Sequence, residues 1–308
     1  MKKKNLNTRH LKQTIVSKYS QDVELAFWNA KVDEGLSQPE EVLVNNYLKN
    51  KDGRVLVIGT GAGRESFPLI WKGFKVFGID IVTEMARNFS KQALCRGINI
   101  NLCINYSVDL GFKDNVFDYV VMFQRLIQHI PGKYNRIKAL KEAKRVLKPG
   151  GLIILDFYNR SFFLYFLWFL RWNWKAFFKK STFLSKLKLR FLESLLRISL
   201  APFYVFYLLL IRIKFLFVSA FRKIKNKIFK NANDVLEAGD TFIKIIGSDN
   251  SHDKMFVHSY SIMELARDLK EAGLELSEVN STEGLIYPGK EFKIQKGAPL
   301  IYCIVKKP

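Results

Sequence analysis

Arg54-Val-Leu-Val-Ile-Gly-Thr-Gly-Ala-Gly63 decides how the rest of this chain is read. Four apolar residues with strand character, Val55 to Ile58, run into glycines at 59, 61 and 63. Glycine lets the backbone turn sharply and lets a ligand approach main-chain N–H groups with no Cβ in the way. The following Arg64-Glu-Ser-Phe-Pro-Leu-Ile-Trp71 reads as the start of a helix whose positive end would face that ligand. Strand, glycine turn and helix together are the nucleotide-binding corner of a doubly wound α/β sheet. A dinucleotide fingerprint needs G-x-G-x-x-G, and its third glycine would fall on Arg64. The spacing points away from a dinucleotide.

Outward from that corner, Lys75 to Asp80 reads as the second strand, ending in an acid 21 positions after Gly59. A carboxylate there accepts hydrogen bonds from both hydroxyls of a ribose; the alternative is that Asp80 caps the next helix. Asn99 to Tyr106 reads as strand three, and Leu110-Gly-Phe-Lys-Asp-Asn-Val-Phe-Asp-Tyr-Val-Val-Met122 leads into strand four. Leu126-Ile-Gln-His129-Ile-Pro131 makes a turn, followed by a helix over Lys133 to Leu147. Arg145-Val-Leu-Lys-Pro-Gly-Gly151 then breaks that helix into strand five, Leu152 to Asp156. Ser37-Gln-Pro-Glu40 is a capping box opening a helix to about Asn50, and Ser261-Ile-Met-Glu264 is another, whose helix stops at Gly273. Strands at about Leu274–Val279 and Pro299–Val305 close the chain.

These strings, in this order, resemble the class I S-adenosylmethionine (SAM)-dependent methyltransferases. G-T-G-A-G is similar to motif I of that family, Ile81-Val-Thr-Glu-Met-Ala86 to its G-x-D-x-S-x-x-M stretch, and R-V-L-K-P-G-G to its most characteristic string. The resemblance implies a Rossmann-like, doubly wound, seven-stranded sheet with the last two strands antiparallel at its edge. It implies SAM as cofactor, contacted by Gly59, Thr60, Gly61, Gly63, Asp80, Ile81, Tyr106, Ser107 and Gln124. Two positions depart from the family pattern. Val57 stands where an acid lies near the methionine end of SAM, and Tyr106 where an acid contacts the adenine amino group, with Asn105 or Ser107 as substitutes.

A net charge of +22 on 308 residues implies an anionic partner. With 48% hydrophobic and 14% aromatic residues the chain is neither disordered nor low in complexity. The odd cysteines Cys95, Cys103 and Cys303, without C-x-x-C pairing, suit a reducing cytoplasm. No apolar run follows Met1-Lys-Lys-Lys4 as secretion would require. The expected organisation is a segment at 1–36, anchored by Tyr19, Phe27 and Trp28, which the resemblance implies covers the cofactor and which is otherwise a helix merely stapled to the sheet, then a core at 37–158, an insertion at 159–232 and the rest of the core at 233–308.

Most of the charge lies in the insertion, where sixteen Lys/Arg between Arg160 and Lys230 face one acid, Glu193. The basic residues alternate with Phe, Trp and Leu at helical spacing, as in helices lying in an anionic membrane interface. Phe162–Leu170 and Ile198–Ile211 are uncharged but shorter than the roughly 20 residues of a spanning helix. The expectation is peripheral contact with the inner face of the cell membrane, the alternative a helical lid with solvated charge. Nucleic acid is disfavoured: the aliphatic runs are long, and Phe123-Gln-Arg lacks the N-P-P-Y string of base N-methyltransferases.

A roof of this kind suggests a lipophilic acceptor, such as a quinone precursor, a lipid or a lipid-linked sugar. Asp156-Phe-Tyr-Asn-Arg160 and Leu126–Pro131 are similar to the ubiquinone-pathway O-methyltransferases. A hydroxyl acceptor benefits from a general base, for which His129 is best placed, with His258 and Asp156 behind it; a backbone-bonded turn histidine is the alternative for His129. No metal-ligand cluster is read. The same chemistry on a soluble metabolite, with the insertion as lid, and a non-catalytic SAM-binding scaffold are the competing readings.

Overall fold

A computed structural model describes residues 8–160, 240–244, 254–286 and 300–308. Beyond Asn159 and Arg160, the insertion expected at 159–232 lies outside them.

The chain opens with helices α1 (Thr8–Tyr19) and α2 (Asp22–Ala30) and a short 3-10 turn at Val32–Glu34. Helix α3 (Gln38–Tyr47) starts where its capping signal places it, with the Ser37 N–H donating to Glu40 Oε2 over 2.7 Å. It ends earlier than expected. Strand β1 (Arg54–Ile58) delivers the chain to the glycine turn, and α4 (Ser66–Trp71) follows. At six residues α4 is too short to carry much of a macrodipole, so the helix-end argument for ligand attraction weakens.

Strand β2 (Lys75–Asp80), helix α5 (Thr83–Cys95), strand β3 (Asn101–Ile104) and strand β4 (Phe117–Met122) come next. Helix α6 (Lys133–Val146) leads into strand β5 (Leu147–Tyr158), which reaches further at both ends than the apolar pattern implied. The glycines lie within it rather than before it: Leu147 already pairs with Phe117, and the register slips before Tyr119 meets Leu152. After the insertion, β6 (Asp240–Lys244) and β7 (Lys254–His258) form a separate antiparallel pair that sequence patterning missed. Helix α7 (Ile262–Glu271), strand β8 (Glu275–Ser281), the short helix α8 (Thr282–Ile286) and strand β9 (Leu300–Lys306) complete the fold.

The seven-stranded sheet runs β3-β2-β1-β4-β5-β9-β8. The first five strands are parallel, and β9 is antiparallel to both its neighbours. Order reverses on either side of β1, so the crevice beyond β1 and β4 is the switch point where such sheets bind ligands. Both faces are covered. Val55 and Val57 pack with Leu43, Val44 and Leu48 of the α3 side, while Leu56 and Ile58 join a cluster with Leu140, Ala143 and Leu265. Alternate residues of β1 thus face opposite layers, and both sets are buried, as a central parallel strand requires.

Arg145 of the R-V-L-K-P-G-G string has a structural task. Its guanidinium pairs with Glu142 (2.8 Å) and Asp114 (2.7 Å) and donates to the carbonyls of Leu110 and Phe112 (both 2.7 Å). It ties α6 to the loop leading into β4.

Candidate active site

A cleft with about 1070 Å³ of empty space, counted to its open mouth, lies over the carboxyl ends of β1, β2 and β4. Its floor is the glycine turn. Gly61 has φ +54°, and a Cβ there would meet nothing within 4 Å, so the space above it is free for a ligand. Gly63, at φ +100°, serves packing instead: a Cβ would come within 2.4 Å of the Phe89 ring. It does not line the cleft. Thr60 Oγ1 and Ser66 Oγ share a hydrogen bond of 2.6 Å that staples the turn to α4.

Asp80 forms one wall. Its Oδ2 accepts from the Gly61 N–H and its Oδ1 from the Val82 N–H, both at 2.8 Å. Val82, not Asp80, is the N-cap of α5, so capping does not account for this acid. Burial raises the Asp80 pKa, while the backbone donors oppose that rise. Asp80 lines the cleft, and its carboxylate keeps acceptor capacity beyond these bonds. Ile81, Asn105, Tyr106 and Ser107 continue this wall, with Lys12 Nζ 4.2 Å from the centre of the Tyr106 ring.

The opposite wall is Phe123, Gln124, Arg125, Leu126 and His129. Gln124 and Arg125 adopt φ +57° and +61°, the left-handed region that costs a residue with a side chain energy. Two consecutive positions of this kind beside a ligand cleft mark a backbone shaped for recognition. Lys12, Ile15 and Tyr19 of α1, with Trp28 of α2, also line the cleft.

His129 is packed against Tyr19, ring centres 6.2 Å apart and nearly perpendicular. Burial, then the charges of Arg125 and Lys18, hold its pKa down at about 4, against a small rise from the Phe256 backbone. The ring is therefore neutral at pH 7. Its Nδ1 is buried without a hydrogen-bond partner. A contact that favours the protonated ring is that of a carbonyl accepting from it, which leaves Nδ1 as the lone-pair nitrogen.

The other two candidate bases lie off the cleft wall. Asp156 Oδ1 accepts the Arg125 N–H over 2.8 Å, and burial pushes its pKa up to about 7. His258 is buried on β7, its Nδ1 2.7 Å from Asp240 and its Nε2 3.4 Å from Glu264. Burial alone would lower its pKa, but the two carboxylates outweigh this and raise it. Asp156 holds the Arg125 backbone and His258 pairs with two carboxylates; neither lines the cleft.

A family model described as a methyltransferase domain matches residues 55–151, the stretch that supplies the glycine turn, Asp80 and the wall after β4. The chain carries a class I SAM-dependent methyltransferase domain. The putative methyltransferase YqeM of Bacillus subtilis is 32% identical over 107 residues, 35% of this chain and 43% of that one. The ubiquinone biosynthesis O-methyltransferase of Haemophilus ducreyi is 28% identical over 132 residues, 40% of this chain and 54% of that one. The chain spans about half the length of the curated relatives it matches. A SAM-dependent methyltransferase structure from Methanosarcina mazei shares the fold, at TM-score 0.52 and 21% identity over 86% of this chain and 96% of that one.

SAM is the cofactor of this domain, and the cleft suits it: open space over Gly61, a buried acid at Asp80 and an aromatic ring at Tyr106 are fitted to a nucleoside. Arg64 and Glu65, which also line the cleft, were not among the residues singled out from sequence. Their position directly after the glycine turn was the available signal. Among the described residues, no helix is long and apolar enough to cross a membrane.

Proposed function

We propose that the chain transfers a methyl group from SAM to a hydroxyl oxygen of a lipophilic acceptor drawn from an anionic membrane surface. A quinone precursor, a lipid and a lipid-linked sugar all fit that description. The observation that carries this reading is the stretch from Arg160 to Lys230, basic and rich in large apolar residues, which departs from the end of β5 beside the cleft. Arg125 of the cleft wall lies 4.8 Å over the ring of Tyr158, two residues before the insertion begins in earnest. The relative named for ubiquinone biosynthesis is consistent with this acceptor class.

In this reading residues 1–36 close over the cofactor, 37–158 and 233–308 form the core, and 159–232 supply the contact with the inner face of the cell membrane. SAM supplies the methyl group on a sulfonium, already a strong electrophile. The protein's share is then largely alignment. Gly59, Thr60, Gly61, Asp80, Ile81, Tyr106, Ser107 and Gln124 hold the cofactor, with Gly63 shaping the turn from behind. His129 Nδ1 accepts the proton of the attacking hydroxyl, and its neutral ring keeps that lone pair available at pH 7.

Incubating the protein with methyl-labelled SAM and a total lysate of its host, then partitioning the label, tests the proposal. Label in the organic phase supports a membrane-derived acceptor. Label among aqueous metabolites replaces it with a soluble acceptor and a lid. Label in RNA refutes the reading of the insertion, and SAM binding without transfer favours a scaffold.

A further inference from the structure

Three side chains beside the glycine turn form a buried ionic cluster. Arg64 Nη1 donates to the Gly35 carbonyl (2.6 Å) and to Glu40 Oε2 (2.9 Å). Its Nη2 donates to Glu40 Oε1 (2.8 Å) and Glu65 Oε1 (2.6 Å). Glu40, Arg64 and Glu65 are only 1%, 6% and 5% exposed. Burying two carboxylates against one guanidinium leaves an acid in excess, and an uncompensated buried charge is costly.

Among the described residues, Arg64 is the one cation paired with Glu40 and Glu65. The other cations on the cleft wall are Lys12 and Arg125, and each lies over an aromatic ring, Tyr106 and Tyr158. The excess also acts at a distance: the charges of Glu40 and Glu65 contribute to the raised pKa of Asp156. A second observation concerns Arg64 itself. Four of its five N–H donors are used, and Nε is buried without a partner. Arg64 and Glu65 line the cleft, so the surplus acid of the cluster lies at its wall, where it is complementary to a cationic group.

Arg64 and Glu65 follow β1, whereas Asp80 and Tyr106 follow β2 and β3 on one side of it. A ligand whose ribose lies at Asp80 has its remainder directed toward β1 and β4. β1 offers no acid of its own there, since Val57 is apolar.

We propose that the Glu40–Arg64–Glu65 cluster is the recognition site for the amino-acid end of the cofactor, with Glu65 binding its α-ammonium. This rests on SAM as the occupant of the cleft. Burial raises the Glu65 pKa, and an ammonium beside it supplies the compensating charge that the protein omits.

The test is calorimetric, on the full chain, with S-adenosylhomocysteine and its analogue bearing hydrogen in place of the α-amino group. Wild type should prefer the amino compound by about tenfold or more, the usual range for a hydrogen bond to a charged group. Glu65→Gln should collapse that preference to about twofold while leaving the deaminated analogue bound as in wild type. Glu40→Gln, which removes the excess charge but keeps Glu65, should reduce the preference too and serves if Glu65→Gln does not fold. Equal weakening of both ligands, or an undiminished preference in either variant, overturns the proposal while leaving SAM as cofactor. Wild-type protein that binds neither ligand overturns the cofactor assignment together with it.

Discussion

The backbone N–H of Arg125 donates to Asp156 Oδ1 across 2.8 Å, linking the turn after β4 to the end of β5. Among the described residues, the turn is the one place where two consecutive residues with side chains have positive φ. The acid is therefore a brace for a strained loop on the cleft wall. Asp156→Ala, which leaves the buried N–H without its acceptor, should cost about 1–3 kcal/mol in denaturant unfolding.

Asp156 also predicts a pH dependence. Its folded pKa of about 7 stands above its ordinary 3.8, so the folded state holds more protons than the unfolded state between those values. Stability contributed by this group is full below about pH 4 and falls as pH rises toward 7, with a slope approaching about 1.4 kcal/mol per pH unit. Asp156→Asn keeps an acceptor for Arg125 and removes the titration. Unfolding at pH 5, 6 and 7 should show a flatter profile for the variant; parallel profiles would contradict the assignment.

His258 carries an expectation of the same sign, at higher pH. Its folded pKa is raised by Asp240 and Glu264, so its contribution is present below about pH 6.5 and lost as pH rises through the folded value. His258→Gln should lower the melting temperature more at pH 6 than at pH 9. Methyl transfer measured at a permissive temperature should change little, because His258 does not line the cleft.

Asp80→Asn tests the nucleoside wall. One amide oxygen replaces two carboxylate oxygens that receive Gly61 and Val82 N–H groups. Binding of S-adenosylhomocysteine should weaken by about tenfold or more in calorimetry, since a hydrogen bond to a charged group is worth about 1.5–3 kcal/mol.

The membrane reading predicts salt-sensitive adsorption. The full chain should float with vesicles containing anionic lipid at low salt and be released as ionic strength shortens the screening length toward about 3 Å at 1 M. Equal recovery with neutral and anionic vesicles would argue against contact through the sixteen basic residues between Arg160 and Lys230.

His129→Gln should lower turnover of a hydroxyl acceptor by about 10²-fold or more if the ring takes the proton. With its pKa held at about 4, the wild-type rate should show no inflection near pH 6.5 from this residue. An inflection there, lost in the variant, would place the working ring in a more solvated arrangement.

Local signals in the sequence determined much of this fold. The glycine spacing after Val55–Ile58, the acid ending β2 and the caps at Ser37 and Ser261 act within a few residues of themselves, so they are readable along the chain. They placed the seven strands and the cleft side of the sheet. The tertiary structure decided what depends on contacts between distant segments. Glu40 meets Arg64 from 24 positions away, Asp156 reaches Arg125 across 31, and His258 pairs with Asp240 across 18. These separations have no periodicity to betray them. An acid at the end of a strand looks alike in sequence whether it lines a cleft, as Asp80 does, or only holds a backbone turn, as Asp156 does. Only packing around the carboxylate separates the two, because burial and the donors that reach each oxygen determine what that acid is free to bind.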